Sequence, residues 1–74
     1  MASVESLINR HPEIMGGTPV FTGTRVPIRT LFDYLSTGEP LAEFLDDFPS
    51  VTREHAEAVL MLADQALAAL AHFA

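Results

Sequence analysis

The chain has 74 residues and no cysteine, which allows one small domain and excludes disulfides and thiolate metal sites as its means of stabilisation. A domain of this size buries only about 60% of the surface its unfolded chain exposes, so a second copy or a partner protein is the expected support. The formal charge is −6, with four arginines and no lysine. Arg10, Arg25 and Arg29 face only Glu5 and Glu13 within residues 1–32, whereas Arg53 stands against eight acids within residues 33–74. That balance argues against strong unaided nucleic-acid binding, which depends on neutralising phosphates, and suits a partner with a basic surface. The N-terminus lacks a basic, then apolar, leader pattern, and no run reaches the roughly 18 apolar residues of a membrane span. A cytoplasmic protein with no membrane association is therefore expected.

In chain order, residues 1–26 read as a β arm with turns. Residues 5–10 suit a short strand or a loose arm. Val20, Phe21 and Thr22 favour β structure between the glycines and proline of Gly16-Gly17-Thr18-Pro19 and the turn at Gly23-Thr24-Arg25. A two-stranded ribbon is marginal alone and must pack on something else. Residues 27–51 hold two short helices. Pro27 suits a first helical position; Ile28, Leu31, Phe32 and Leu35 follow at helical spacing, and Gly38 ends the helix as a left-handed cap. Pro40 opens the second, with Leu41, Phe44, Leu45 and Phe48 on one face, and Pro49 stops it. Asp46 and Asp47 sit near its C-terminus, where the helix dipole disfavours negative charge; with no stabilising reason for them there, they are candidates for partner contact.

Residues 52–74 form a long C-terminal helix. Thr52 is a good N-cap, and Glu54 lies favourably in the first turn. Ala56, Val59, Leu60, Ala63, Leu67, Leu70 and Ala74 make one apolar face, with Leu62, Ala66, Ala69 and Phe73 beside it. That stripe is wider than a small domain covers, so Leu60, Leu62, Leu67, Leu70 and Phe73 are assigned to association, including a homodimer through this helix.

The run Gly16-Gly17-Thr18-Pro19-Val20-Phe21-Thr22-Gly23-Thr24-Arg25-Val26-Pro27-Ile28 resembles the signature of the domain-of-unknown-function 433 family. Gly38-Glu39-Pro40, Phe48-Pro49-Ser50-Val51-Thr52-Arg53-Glu54, Ala58 and Leu60 resemble its second half, so the likeness spans roughly residues 7 to 65. It implies a mainly α, three-helix domain of helix-turn-helix type, homeodomain-like or winged-helix-like, with a short N-terminal β element. It also implies an antitoxin whose partner is a PIN-like nuclease toxin. The family often carries a basic residue where Thr18 stands, and sometimes where Thr22 stands, so this chain's turn is less basic than the pattern.

Each candidate site has two readings. Arg25 either meets a phosphate or partner carboxylate, or pairs with a local acid. The pair Gly16-Gly17 lacks the Gly-Lys-Ser/Thr ending of a phosphate loop. In a helix-turn-helix, Thr52, Arg53, Glu54, His55 and Glu57 would face the bases, yet two of the five are acids, so two packed helices joined by a short turn are expected ahead of autonomous DNA reading. Operator contact by a toxin-bound complex would use Arg25, Arg29, Thr52 and Arg53. His55 reads as a solvated side chain, because no oriented nucleophile or carboxylate accompanies it in sequence; the same holds for His11 and His72. Among Asp33, Glu43, Asp46, Asp47 and Asp64, only Glu43 and Asp47 share a helix face, a like-charge pair that a basic partner would relieve. No catalytic, metal or cofactor set emerges. The alternatives to the antitoxin are a free-standing DNA-binding regulator and a dimerising structural helper.

Overall fold

The computed structural model describes residues 4–72. Its elements are α1 (Val4–Leu7), β1 (Ile8–Asn9), a 3₁₀ turn (Met15–Gly17), β2 (Val20–Phe21), α2 (Ile28–Ser36), α3 (Leu41–Asp47) and α4 (Arg53–His72). The protein is mainly helical with a two-stranded N-terminal β element. The strands pair antiparallel, Ile8 opposite Phe21 and Asn9 opposite Val20, so residues 8 and 9 are strand as one of the two sequence readings holds. The helical turn α1 ahead of them differs from both: four residues are too short to show a helical period.

The ribbon is anchored by side chains rather than by length. Leu7 carbonyl oxygen accepts the Thr22 N–H at 3.0 Å and the His55 Nε2–H at 2.8 Å. Thr22 Oγ1 donates to the Glu5 carbonyl at 3.0 Å. Thr22 therefore ties α1 to the end of β2. Downstream, Thr24 closes a tight loop: its hydroxyl donates to Phe21 O at 2.8 Å and accepts from the Val26 N–H at 3.0 Å. Gly23 supplies the positive φ of 81° inside that loop, a conformation that costs glycine little.

Proline and glycine punctuate the helices. Pro27 and Pro40 are the N-caps of α2 and α3, each with extended ψ (139° and 156°). Each helix thus starts one residue later than expected from proline's preference for the first helical position. The end of α2 is a Schellman turn: the Gly38 N–H reaches Leu35 O at 3.1 Å and the Glu39 N–H reaches Tyr34 O at 3.0 Å, with Gly38 at φ 87°. This reversal folds α3 back onto α2. Thr52 caps α4, its hydroxyl accepting the His55 N–H at 3.1 Å, after a turn over residues 48–52.

Phe21, Leu31, Phe44, Val51, Ala56 and Val59 form the buried centre, with Val26 beside them. Aromatic contacts run through it: Phe44 lies 5.8 Å from Phe21, 5.6 Å from Tyr34 and 5.2 Å from Phe48, centroid to centroid. Phe44 therefore joins β2, α2 and the α3–α4 turn. No helix of the described residues is long and apolar enough to cross a membrane.

Candidate functional site

The antiparallel return of α3 onto α2 brings acidic side chains from both helices and their connection together. Asp33, Tyr34 and Thr37 from α2 and its end, Glu39 from the turn, and Glu43 and Asp47 from α3 line a cleft of about 360 Å³. Asp33 and Thr37 are one helical turn apart, as are Glu43 and Asp47, so each pair lies on one face of its helix. The described ion pairs, His11–Glu13 and Arg53–Glu57, lie elsewhere, so among the described residues no cation pairs with these carboxylates. Nor do they converge as a metal-ligand set: no such group of three occurs among the described residues.

One member of the cleft has a structural role. Tyr34 Oη donates to Asp47 Oδ2 at 2.6 Å, within the range of a charge-assisted hydrogen bond. The Tyr34 ring stands edge-on to Phe44 and Phe48. The Tyr34 phenol is pushed up from 10.0 to about 12, first by this hydrogen bond, then by burial and by the negative charges of Asp47, Glu43 and Glu39. Asp47, which the sequence offers no stabilising reason for, is thus the acceptor that locks α3 to α2. Asp46 beside it is exposed.

The other expected site residues separate. Arg25 is exposed at the tip of the Phe21–Val26 loop and Arg29 is exposed on α2. Neither joins an ion pair among the described residues, so the local-acid reading of Arg25 fails. Arg53 is held by Glu57 at 3.7 Å, one turn along α4. The Thr52 hydroxyl is occupied as a cap. Of these four, only Arg29 lines one of the described clefts. On α4, Leu60 packs against the core and is partly exposed. Leu62 lines a surface groove, and Leu67 and Leu70 are exposed. Phe73 lies outside the described residues, as does Ala74.

His55 corrects the sequence reading most sharply. It is half-buried, its Nε2–H bonded to the Leu7 carbonyl and its ring edge-on to Phe21 at 5.1 Å. It is a packing and pinning residue, and no sequence signal near position 55 announces a partner 48 residues away. The acidic cleft was likewise hidden in sequence. Its four carboxylates come from two helices and a turn, and only the Schellman reversal at Gly38 brings them together.

Residues 8–63 match a family described as "Protein of unknown function (DUF433)". The chain is 33% identical over 54 residues to Uncharacterized protein y4eO of Sinorhizobium fredii, an alignment covering 73% of this chain and 24% of that protein. It thus spans about a quarter of the length of that curated relative. Its structure is similar to the crystal structure of a DUF433 member protein from Anabaena variabilis, with a TM-score of 0.69 and 31% identity, covering 84% of this chain and 61% of that one. A family match over most of the sequence, and the same fold in a family member at this identity, agree with the glycine, proline and Gly-Thr-Arg pattern of residues 16–28: the chain belongs to the DUF433 family.

Proposed function

We propose that this chain is the antitoxin of a toxin–antitoxin pair, a cytoplasmic binding module that docks on a PIN-like nuclease toxin and neutralises it without covalent chemistry. The observation that carries the reading is the uncompensated acidic cleft of Asp33, Glu39, Glu43 and Asp47. A nuclease holds its substrate's phosphates on basic side chains, and a cleft of opposite sign on a small rigid body competes for that surface. Such complementarity acts on the rate and specificity of association and fades with salt. The resemblance of residues 16–28 to a family regarded as antitoxins supplies the identity of the partner class.

Asp33, Glu39 and Glu43 are the residues assigned to the toxin. Asp47 faces the same cleft but also holds Tyr34, so its reversal would perturb fold and binding together. Asp46, exposed beside the cleft and outside its lining, is a secondary contact. The test is co-purification with the PIN-like nuclease encoded beside its gene. A complex of fixed stoichiometry, weakened about 10- to 100-fold by Asp33→Lys with Glu39→Lys and Glu43→Lys, supports the reading. Failure to associate, or an affinity unmoved by those three reversals, refutes it.

A second reading, operator binding by the complex, draws on Arg25 and Arg29, exposed and outside any ion pair. In it the toxin covers the acidic cleft, which would otherwise repel phosphate. Binding to a palindromic site should then appear only with toxin present and fall steeply with salt. Palindrome binding by the chain alone would favour the free-standing regulator instead.

A further inference from the structure

Away from the acidic cleft, α4 carries an apolar surface that its own domain does not cover. Its core-facing stripe begins with Ala56 and Val59, 0% and 2% exposed, and continues on the same face to Leu67 and Leu70, 66% and 67% exposed. The helix overhangs the body that buries its first half. Where the body ends, Val4, Ile28, Phe32, Leu62, Ala63 and Ala66 line a groove of about 330 Å³ with apolar side chains only. The groove wall and the bare stripe are successive turns of one helix.

We propose that these two features are the halves of one isologous interface, and that the occupant of the groove is the α4 overhang of a second copy of this chain. A twofold axis near Ala66 would lay two α4 helices antiparallel, placing each copy's Leu67 and Leu70 over the other's groove. Such an interface uses the same patch on both copies and closes after two. Ala63, Ala66 and Ala69 leave room for the helices to approach closely.

Charge selects the same occupant. The chain carries −6, so two copies repel over most of their surface, but residues 65–71 hold no charged side chain. The overhang is where a second copy meets no like charge. Past Ile28 and Phe32 the groove continues between Pro19 and Arg29. Arg29 has no ion pair among the described residues, and the carbonyl end of an incoming α4 is the negative pole of its dipole. Val4, Phe32, Leu67 and Leu70 leave on the order of 400 Å² bare per copy, about half the ~800 Å² per partner of a standard stable interface, an area that suits a small dimer of modest affinity.

The proposal is independent of the toxin and is tested on the chain alone, by sedimentation equilibrium at about 100 μM, a concentration that reveals even a micromolar dimer. The expected mass is twice the 8.1 kDa of one chain. Leu67→Lys with Leu70→Lys should give the single-chain mass with unchanged helix content. Met61→Lys, exposed on the opposite face of α4, should remain a dimer. A wild-type monomer overturns the proposal, as does a dimer that survives the double substitution. Should the double variant lose helix content, Ala66→Cys decides, because the chain has no other cysteine. Oxidation should cross-link Ala66→Cys and leave Met61→Cys uncross-linked, and the reverse pattern, or no cross-link at position 66, refutes the twofold near Ala66.

Discussion

His55 gives the clearest separation of contributions in this fold. Its Nε2–H bond to the Leu7 carbonyl joins α4 to the junction of α1 and β1, and its ring contacts Phe21 edge-on. In His55→Ala both are lost. The hydrogen bond contributes about 1 kcal/mol net, and the Leu7 carbonyl keeps the Thr22 N–H, so no orphaned acceptor adds to the loss. The aromatic contact adds about 0.5–1.5 kcal/mol, and alanine's better helix propensity returns roughly 0.5 kcal/mol. The expected destabilisation is about 1–2 kcal/mol, a melting shift of roughly 5–15 °C for a domain of this length. His55→Phe keeps a ring against Phe21 and loses the bond, and should cost about 1 kcal/mol. Urea unfolding followed by far-ultraviolet circular dichroism at neutral pH and one fixed protein concentration measures both, since self-association would make stability concentration-dependent. Two variants within about 0.3 kcal/mol of wild type would refute the pinning role. Equal losses in the two would refute the separate weight of the ring contact, and an unchanged His55→Phe would refute that of the hydrogen bond.

Tyr34 is the only tyrosine and there is no tryptophan, so its ionisation is directly visible in near-ultraviolet absorbance. The midpoint should lie at about 12 and fall toward the ordinary phenol range in Asp47→Asn, whereas a wild-type midpoint near 10 would contradict the hydrogen bond. Because the folded-state value is raised, the stability this bond contributes is fully present below the unfolded value near 10 and is lost as pH rises through about 12. Urea midpoints of wild type and Tyr34→Phe should therefore differ at pH 8 and draw together as pH rises toward about 12. Phe44→Ala removes a fully buried ring shared by β2, α2 and α3 and should cost about 3–5 kcal/mol, enough to abolish cooperative melting in a domain this small; a melt shifted by only a few degrees would refute Phe44 as the centre of the core. Gly38→Ala forces a side chain into φ 87° and should cost about 1 kcal/mol in the same assay, against no change if the α2 end is not a Schellman turn in solution.

Local chemistry made most of the helical frame readable in sequence. Pro27, Pro40, Gly38 and Thr52 act through their own backbone angles, donors or hydroxyls, and α2, α3 and α4 begin or end within a residue or two of them. The one-residue displacement at both prolines is a matter of which side of the helix boundary a fixed φ serves. The features that escaped are tertiary. α1 is a single turn held by Thr22 from another element. His55 has a sequence-distant carbonyl as its partner. Asp47 looks adverse on an isolated α3 because its compensation, Tyr34, sits on α2. The acidic cleft assembles only after the chain reverses at Gly38, so its carboxylates look scattered when each helix is considered alone. The overhang of α4 was legible as excess apolar width, but which leucines it exposes depended on where the body stops: Leu60 is partly covered, and Leu67 and Leu70 are not.

Neutralisation of a nuclease through the acidic cleft is the central claim, and inhibition of the enzyme tests it most directly. A PIN-like nuclease, the partner proposed for this chain, would be titrated with the wild-type chain while cleavage of its nucleic-acid substrate is followed, and then with the Asp33→Lys, Glu39→Lys, Glu43→Lys variant. The account predicts loss of cleavage at a fixed stoichiometry with the wild type and a requirement for about 10- to 100-fold more of the variant. Full cleavage in the presence of excess wild-type chain, or equal inhibition by both, would contradict it.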